Sequence, residues 1–155
     1  MSTEAANETG SWERREFETI VEGEALPGHT VKITLQRLVM EAGANRDFAP
    51  IHFDRDAARA TGAPDVYANT IFLEAVIESA LRRWAGLGAW IGEIAFTMRG
   101  FNCIGDTVTA GGSVVALDPE RRLAELDIWV ESQRGRTVEG SAKISFQSSE
   151  QVGRG

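Results

Sequence analysis

The chain has 155 residues, 43% of them hydrophobic and 25% charged, with a formal net charge of -7. That length suits one domain with its own core, and the acidic balance argues against nucleic acid and anionic membrane surfaces, which require clustered positive charge. Cys103 is the only cysteine, so an internal disulfide and a complete cysteine-based metal site are excluded.

The opening MSTEAANETGSWERREF has no apolar run of the signal-peptide kind, so a cytoplasmic protein is expected. Residues 1–15 show neither helical nor strand periodicity and read as a mobile tail, followed by one domain over 16–148 and a second tail over 149–155. Within the domain, Phe17 to Val21 is expected as a short strand. Pro27-Gly28 marks a turn, after which Val31, Ile33 and Leu35 alternate as in a strand. Thr34 is placed to cap a short helix from Gln36 to Ala42, closed by Gly43. A loop, ANRDFAPIHFD, leads to a helical piece from Asp54 to Ala60, with Asp54 as its cap.

The stretch from Asn69 to Trp84 is apolar around most of its helical circumference, with Glu74, Glu78 and Arg82 as its polar stripe. Such a helix belongs inside something that encloses it. From Ala89 onward the period changes to two: Ile94, Phe96 and Met98, then Val108, Ala110, Val114 and Ala116, then Ala124, Leu126, Ile128 and Val130, then Val138, Ala142, Ile144 and Phe146. Alternation of this kind means antiparallel strands with one buried face. The expected class is α+β, a four-strand meander curled around the helix. Ile71, Phe72, Val76, Ala80, Ile94, Phe96, Leu126, Ile128, Ile144 and Phe146 are expected to share its core.

Asp47 and His52 stand in a loop that Pro50 keeps from continuing as helix. A carboxylate and an imidazole together can exchange protons near neutral pH. Taken alone, the spacing fits a capping aspartate and a hydrogen-bonded surface histidine better than a catalytic pair.

The wider segment Arg46-Asp47-Phe48-Ala49-Pro50-Ile51-His52, with Asp54 and Ala57-Ala58, resembles the signature of the MaoC-like dehydratases and (R)-specific enoyl-thioester hydratases, and the likeness continues through PDVYANTIF and GFNCIGDTVTAGGSVV. The resemblance implies a hot-dog fold, a curved antiparallel sheet wrapped around the helix at about residues 69–84. It also implies hydration of an enoyl thioester, or dehydration of the 3-hydroxyacyl form, with Asp47 and His52 as the catalytic pair. Backbone N–H groups at Asn69, Thr70 or Ile71 would hold the thioester carbonyl. Unpaired first-turn amides and the helix dipole suit that task independently. No metal or redox cofactor is implied; CoA would enter as part of the substrate.

Two positions depart from the family pattern: Arg46 replaces its glycine and Ala49 its asparagine, while Asn69-Thr70 stands where many relatives have His-Gly. Arg46-Asp47-Phe48 is similar to a variant in actinobacterial hydratases, some acting on steroid-derived CoA thioesters, in which two related subunits pair. The competing readings are a non-catalytic or half-competent subunit of a heteromeric hydratase and a hot-dog thioesterase. A homodimer or a heteromer with a related chain is expected, because a single sheet leaves an open edge and Trp129 lies on its outer face. Among the remaining candidates, His29 reads as an exposed loop residue and Cys103 as packing. Arg82 and Arg83 read as partners for CoA phosphates or as complements to the helix dipole.

Overall fold

The computed structural model describes residues 13–148, so most of both expected tails, and Trp12, lie outside the described residues. Five strands form one antiparallel sheet: β1 (His29–Lys32), β2 (Ala89–Met98), β3 (Thr107–Asp118), β4 (Leu123–Ser132) and β5 (Gly135–Phe146). Their spatial order is β1-β3-β4-β5-β2. The expected four-strand meander is therefore a three-strand one, β3-β4-β5. Strand β2 pairs with β5 at one edge and β1 with β3 at the other. The segment between β2 and β3 is too long for a tight hairpin and carries the chain across to the far side. It is held on the way, Asn102 O accepting from Ala68 N at 2.9 Å and Val66 O from Ile104 N at 3.0 Å.

Alternation puts Val108, Ala110, Val114, Ala124, Leu126, Ile128, Val130, Val138, Ala142, Ile144 and Phe146 in the core. A bulge between Val114 and Ala116 interrupts it, turning Val115 outward and bringing Leu117 against the core. Gly140 lies where β5 meets β2 so closely that a Cβ would stand 2.1 Å from Ala95 O.

The buried helix is α3 (Thr70–Ala85), whose Phe72, Leu73, Val76, Ile77, Ala80, Leu81 and Trp84 pack into the concave face of the sheet. Ile71 does not join them: it is 48% exposed, with Glu74 and Ala75 on the same outward stripe. The sheet wraps only part of the helix, so one stripe stays uncovered in the single chain. Ile94 and Phe96 are likewise only half-buried, because β2 is an edge strand.

Before α3 come α1 (Leu35–Asn45) and α2 (Arg55–Ala60). Thr34 caps α1 as expected, its hydroxyl accepting from Arg37 N. The alternation through Val31, Ile33 and Leu35 ends early: β1 stops at Lys32, Ile33 is buried, and Leu35 opens the helix, 45% exposed. Helix α1 also runs past Gly43 to a left-handed cap at Arg46. Phe17 to Val21 is not a strand; Phe17–Thr19 form a single 3-10 turn, which buries Phe17 and Ile20 on one side. Ahead of it, Arg15 lies over the Trp84 ring at 4.9 Å and pairs with Glu24 at 2.6 Å. No described helix is long and apolar enough to cross a membrane.

Candidate active site

Helix α1 ends where the loop of interest begins. Arg46 adopts φ 57° and ψ 30°, a conformation that glycine accepts at little steric cost and other residues do not. This gives a physical meaning to the family's glycine at that position. The turn aims Asp47 back at the helix, and Asp47 N donates to Ala42 O at 2.9 Å. Pro50–His52 then form a 3-10 turn, and Asp54 caps α2 by accepting from Ala57 N at 2.8 Å. Asp54 is thus committed to a cap.

The turn buries His52, leaving it 5% exposed. Its Nδ1 lies 2.7 Å from Tyr67 O, and because a carbonyl can only accept, Nδ1 carries the proton. The lone pair of a neutral ring therefore sits on Nε2, which is 3.4 Å from Asp47 Oδ2. The Tyr67 ring meets the imidazole edge-on with centroids 5.6 Å apart, and Phe101 packs on Tyr67 in turn. The histidine is fixed from two sides.

Asn69 joins this pair to α3. Its Oδ1 accepts from Phe72 N at 2.8 Å, capping the helix, and its Nδ2 donates to Asp47 Oδ2 at 2.8 Å. That amide is the main reason Asp47 stays below the ordinary carboxylate range; the Ala49 N–H and His52 add to it against the opposing cost of burial. The Asp47 side chain nevertheless keeps 34% of its surface exposed. Thr70 N and Ile71 N have no acceptor among the described residues and stand at the positive end of the helix dipole.

The expected residues Asp47, His52, Asn69, Thr70 and Ile71 thus meet at one end of α3. The sequence points to Asn69 only through its backbone N–H, and the structure adds its side chain. Its signal was present: an asparagine directly before a long apolar helix is an N-cap pattern. The Tyr67 carbonyl had no signal, because any residue there offers one. His29 departs from expectation: it lies in β1 and lines a cleft beside α3. Burial pushes the Cys103 thiol up, consistent with a packing role. Trp129 is half-buried, with Arg136 4.5 Å over its ring. Among the described residues no group of three or more His, Cys, Asp or Glu side chains could hold a metal ion.

No protein-family model matches the sequence. The 3-oxo-4,17-pregnadiene-20-carboxyl-CoA hydratase beta subunit of Mycobacterium tuberculosis is 35% identical over 81 residues, which are 52% of this chain and 63% of that relative, so the match spans less than two thirds of its length. A chain of the ChsH1–ChsH2 complex from the same organism superposes with a TM-score of 0.76 at 28% identity, covering 82% of this chain and 98% of that one. The (R)-hydratase from A. caviae involved in PHA biosynthesis gives a TM-score of 0.78 at 21% identity over 84% of this chain and 99% of that chain.

The fold is the hot-dog fold of these hydratases. In fold, and over the matched segment in sequence, the chain is similar to MaoC-like dehydratases and (R)-hydratases.

Proposed function

We propose that this chain hydrates a trans-2-enoyl thioester carried on CoA, and runs the reverse dehydration, with Asp47 and His52 sharing the acid–base work. The observation carrying this reading is the pair itself: Nε2 of a buried histidine whose proton is parked on Nδ1, facing a carboxylate at 3.4 Å.

A water placed between them donates one hydrogen to Asp47 and the other to Nε2. As its oxygen bonds to the β-carbon, Nε2 takes that proton and the thioester becomes an enolate. The Thr70 and Ile71 N–H groups receive the enolate oxygen. The imidazolium, steadied by ionised Asp47, returns the proton to the α-carbon from the same face, giving syn addition. Atoms balance, and the enzyme ends as it began.

The relatives support two finer points. One is the beta subunit of a steroid-derived CoA hydratase and another belongs to a two-protein complex. A bulky acyl group and pairing with a second hot-dog subunit, identical or related, therefore suit this chain. The departures at Arg46 and Ala49 favour a second reading, a subunit whose partner carries the working pair.

The purified chain, assayed alone with crotonyl-CoA and with a bulky enoyl-CoA, should show loss of enoyl absorbance without release of free thiol. Thiol release would instead mark a thioesterase. Activity that appears only after a second hot-dog subunit is added, and that survives Asp47→Asn, would establish the partner-subunit reading. Sedimentation should give a dimer at micromolar concentration; a fully active monomer would rule the pairing out.

A further inference from the structure

A cleft of about 610 Å³ runs along α3 between β1 and α1. It begins at Phe72, whose N–H is held by the same Asn69 that holds Asp47. It ends at Arg83, about 16 Å further along the axis at 1.5 Å per residue. Its near part is apolar, with Val31, Phe72 and Val76. Its lining also carries charge: Arg37, Glu41 and Arg83 face it with His29, which lies close enough to Arg83 to feel its charge.

At Arg83 a polar group of the lining is left unsatisfied. Arg83 Nε is buried without a hydrogen-bond partner, and no ion pair holds the Arg83 guanidinium among the described residues. Arg37 spends one N–H on Lys32 O at 2.7 Å and pairs with no carboxylate among the described residues. Glu41 is engaged by the Asn45 amide, so two guanidiniums outweigh one carboxylate. His29 is held below its usual pKa by burial and then by the Arg83 charge, which favours its neutral form. A buried donor with no acceptor is costly, and a cation in an apolar-walled cleft strongly favours an anionic oxygen.

We infer that this cleft takes the acyl tail of the thioester and that Arg83 binds a carboxylate at the far end of that tail, with the Arg37 charge in the same cleft. The inference rests on the thioester reading above and sharpens its substrate class to acyl groups bearing a distal acid. The apolar stretch assigns the cleft to an acyl chain and not to the polar pantetheine arm of CoA.

The test needs no turnover. Adipoyl-, suberoyl- and sebacoyl-CoA are titrated calorimetrically into the full chain against hexanoyl-, octanoyl- and decanoyl-CoA. For at least one length the carboxylated tail should bind about tenfold tighter or more, as a charge-assisted contact would give. In Arg83→Gln that ratio should fall towards one, and in Arg83→Lys it should partly return. A wild-type ratio of one or below at every length overturns the inference without reference to any variant. Equal weakening of both tail types by Arg83→Gln, vanishing with the N-acetylcysteamine thioesters, would also overturn it by assigning Arg83 to the CoA phosphates. A wild-type chain that prefers the carboxylated tails yet hydrates no enoyl thioester, with or without a partner subunit, would sink the hydratase reading and leave the cleft assignment standing.

Discussion

The chain holds two buried or half-buried aspartate networks built from similar parts and put to opposite uses. Asp106 is 1% exposed and fully engaged: it accepts from Cys103 N at 2.9 Å, from Gln133 Nε2 at 2.6 Å, and from Arg134 Nε at 2.9 Å. Nothing is left for a ligand. This carboxylate ties the loop before β3 to the turn between β4 and β5. Asp47 accepts from the Asn69 amide and at 3.4 Å from Ala49 N, and keeps a third of its side-chain surface open beside a histidine lone pair. The difference lies in saturation. A carboxylate whose lone pairs are all taken is a staple, and one held from behind with a free front can handle a proton.

The largest expected effect falls on the open network. Asp47→Asn and His52→Gln should each lower kcat by about 10²–10⁴-fold, and Asp47→Asn should melt near wild type because Asp47 is partly solvated. The double variant should be little worse than either single one, since the pair acts as a unit. If both single variants retain more than roughly a third of the activity, far outside that range, the pair is not catalytic.

Asp106→Ala should show the reverse pattern. It leaves Cys103 N–H and the Gln133 amide without an acceptor, at a cost of about 2–4 kcal/mol. Residual folded protein should keep its kcat. A melting curve unchanged from wild type would show that the contrast between the two carboxylates is misdrawn.

Asn69→Ala tests how the two properties are linked. Loss of the N-cap should cost about 1 kcal/mol. The same change removes the main cause of Asp47's low pKa. A carboxyl depressed in the folded state contributes stability that is present above its unfolded pKa and lost as pH falls through the folded value. In the wild type Asp47 should therefore remain ionised down to pH values below the ordinary carboxylate range, and any activity loss it causes begins there. In Asn69→Ala that acid limb should move upward, as a kcat profile between acid and neutral pH would read. An unmoved limb would mean that Asn69 serves only the helix.

The smallest effect concerns the frame. Arg46→Gly should relieve the left-handed strain and raise stability by about 0.5–1 kcal/mol, with kcat unchanged. Destabilisation would mean that the Arg46 side chain holds the loop by contacts that outweigh its backbone cost.

Local pattern reached far in this chain. The apolar run from Ile71 to Trp84 specified a buried helix, and strict alternation through Val108, Leu126 and Ile144 specified the sheet, because both depend on periods set by backbone geometry. Thr34 and Asp54 were legible as caps for the same reason: their partners lie three residues on. The sheet order was not legible, since pairing of β2 with β5 over β3 depends on where a long connection lands. The exposure of Ile71 depends on how far five strands can curl around one helix. The site divided in the same way. Asp47 and His52 could be named from the loop, but the proton's place on Nδ1 was decided by Tyr67 O, 15 residues away in sequence. The grip on Asp47 came from Asn69, 22 residues away. Distances of that kind are set only when helix and loop pack against each other, because no local rule fixes the angle at which they meet.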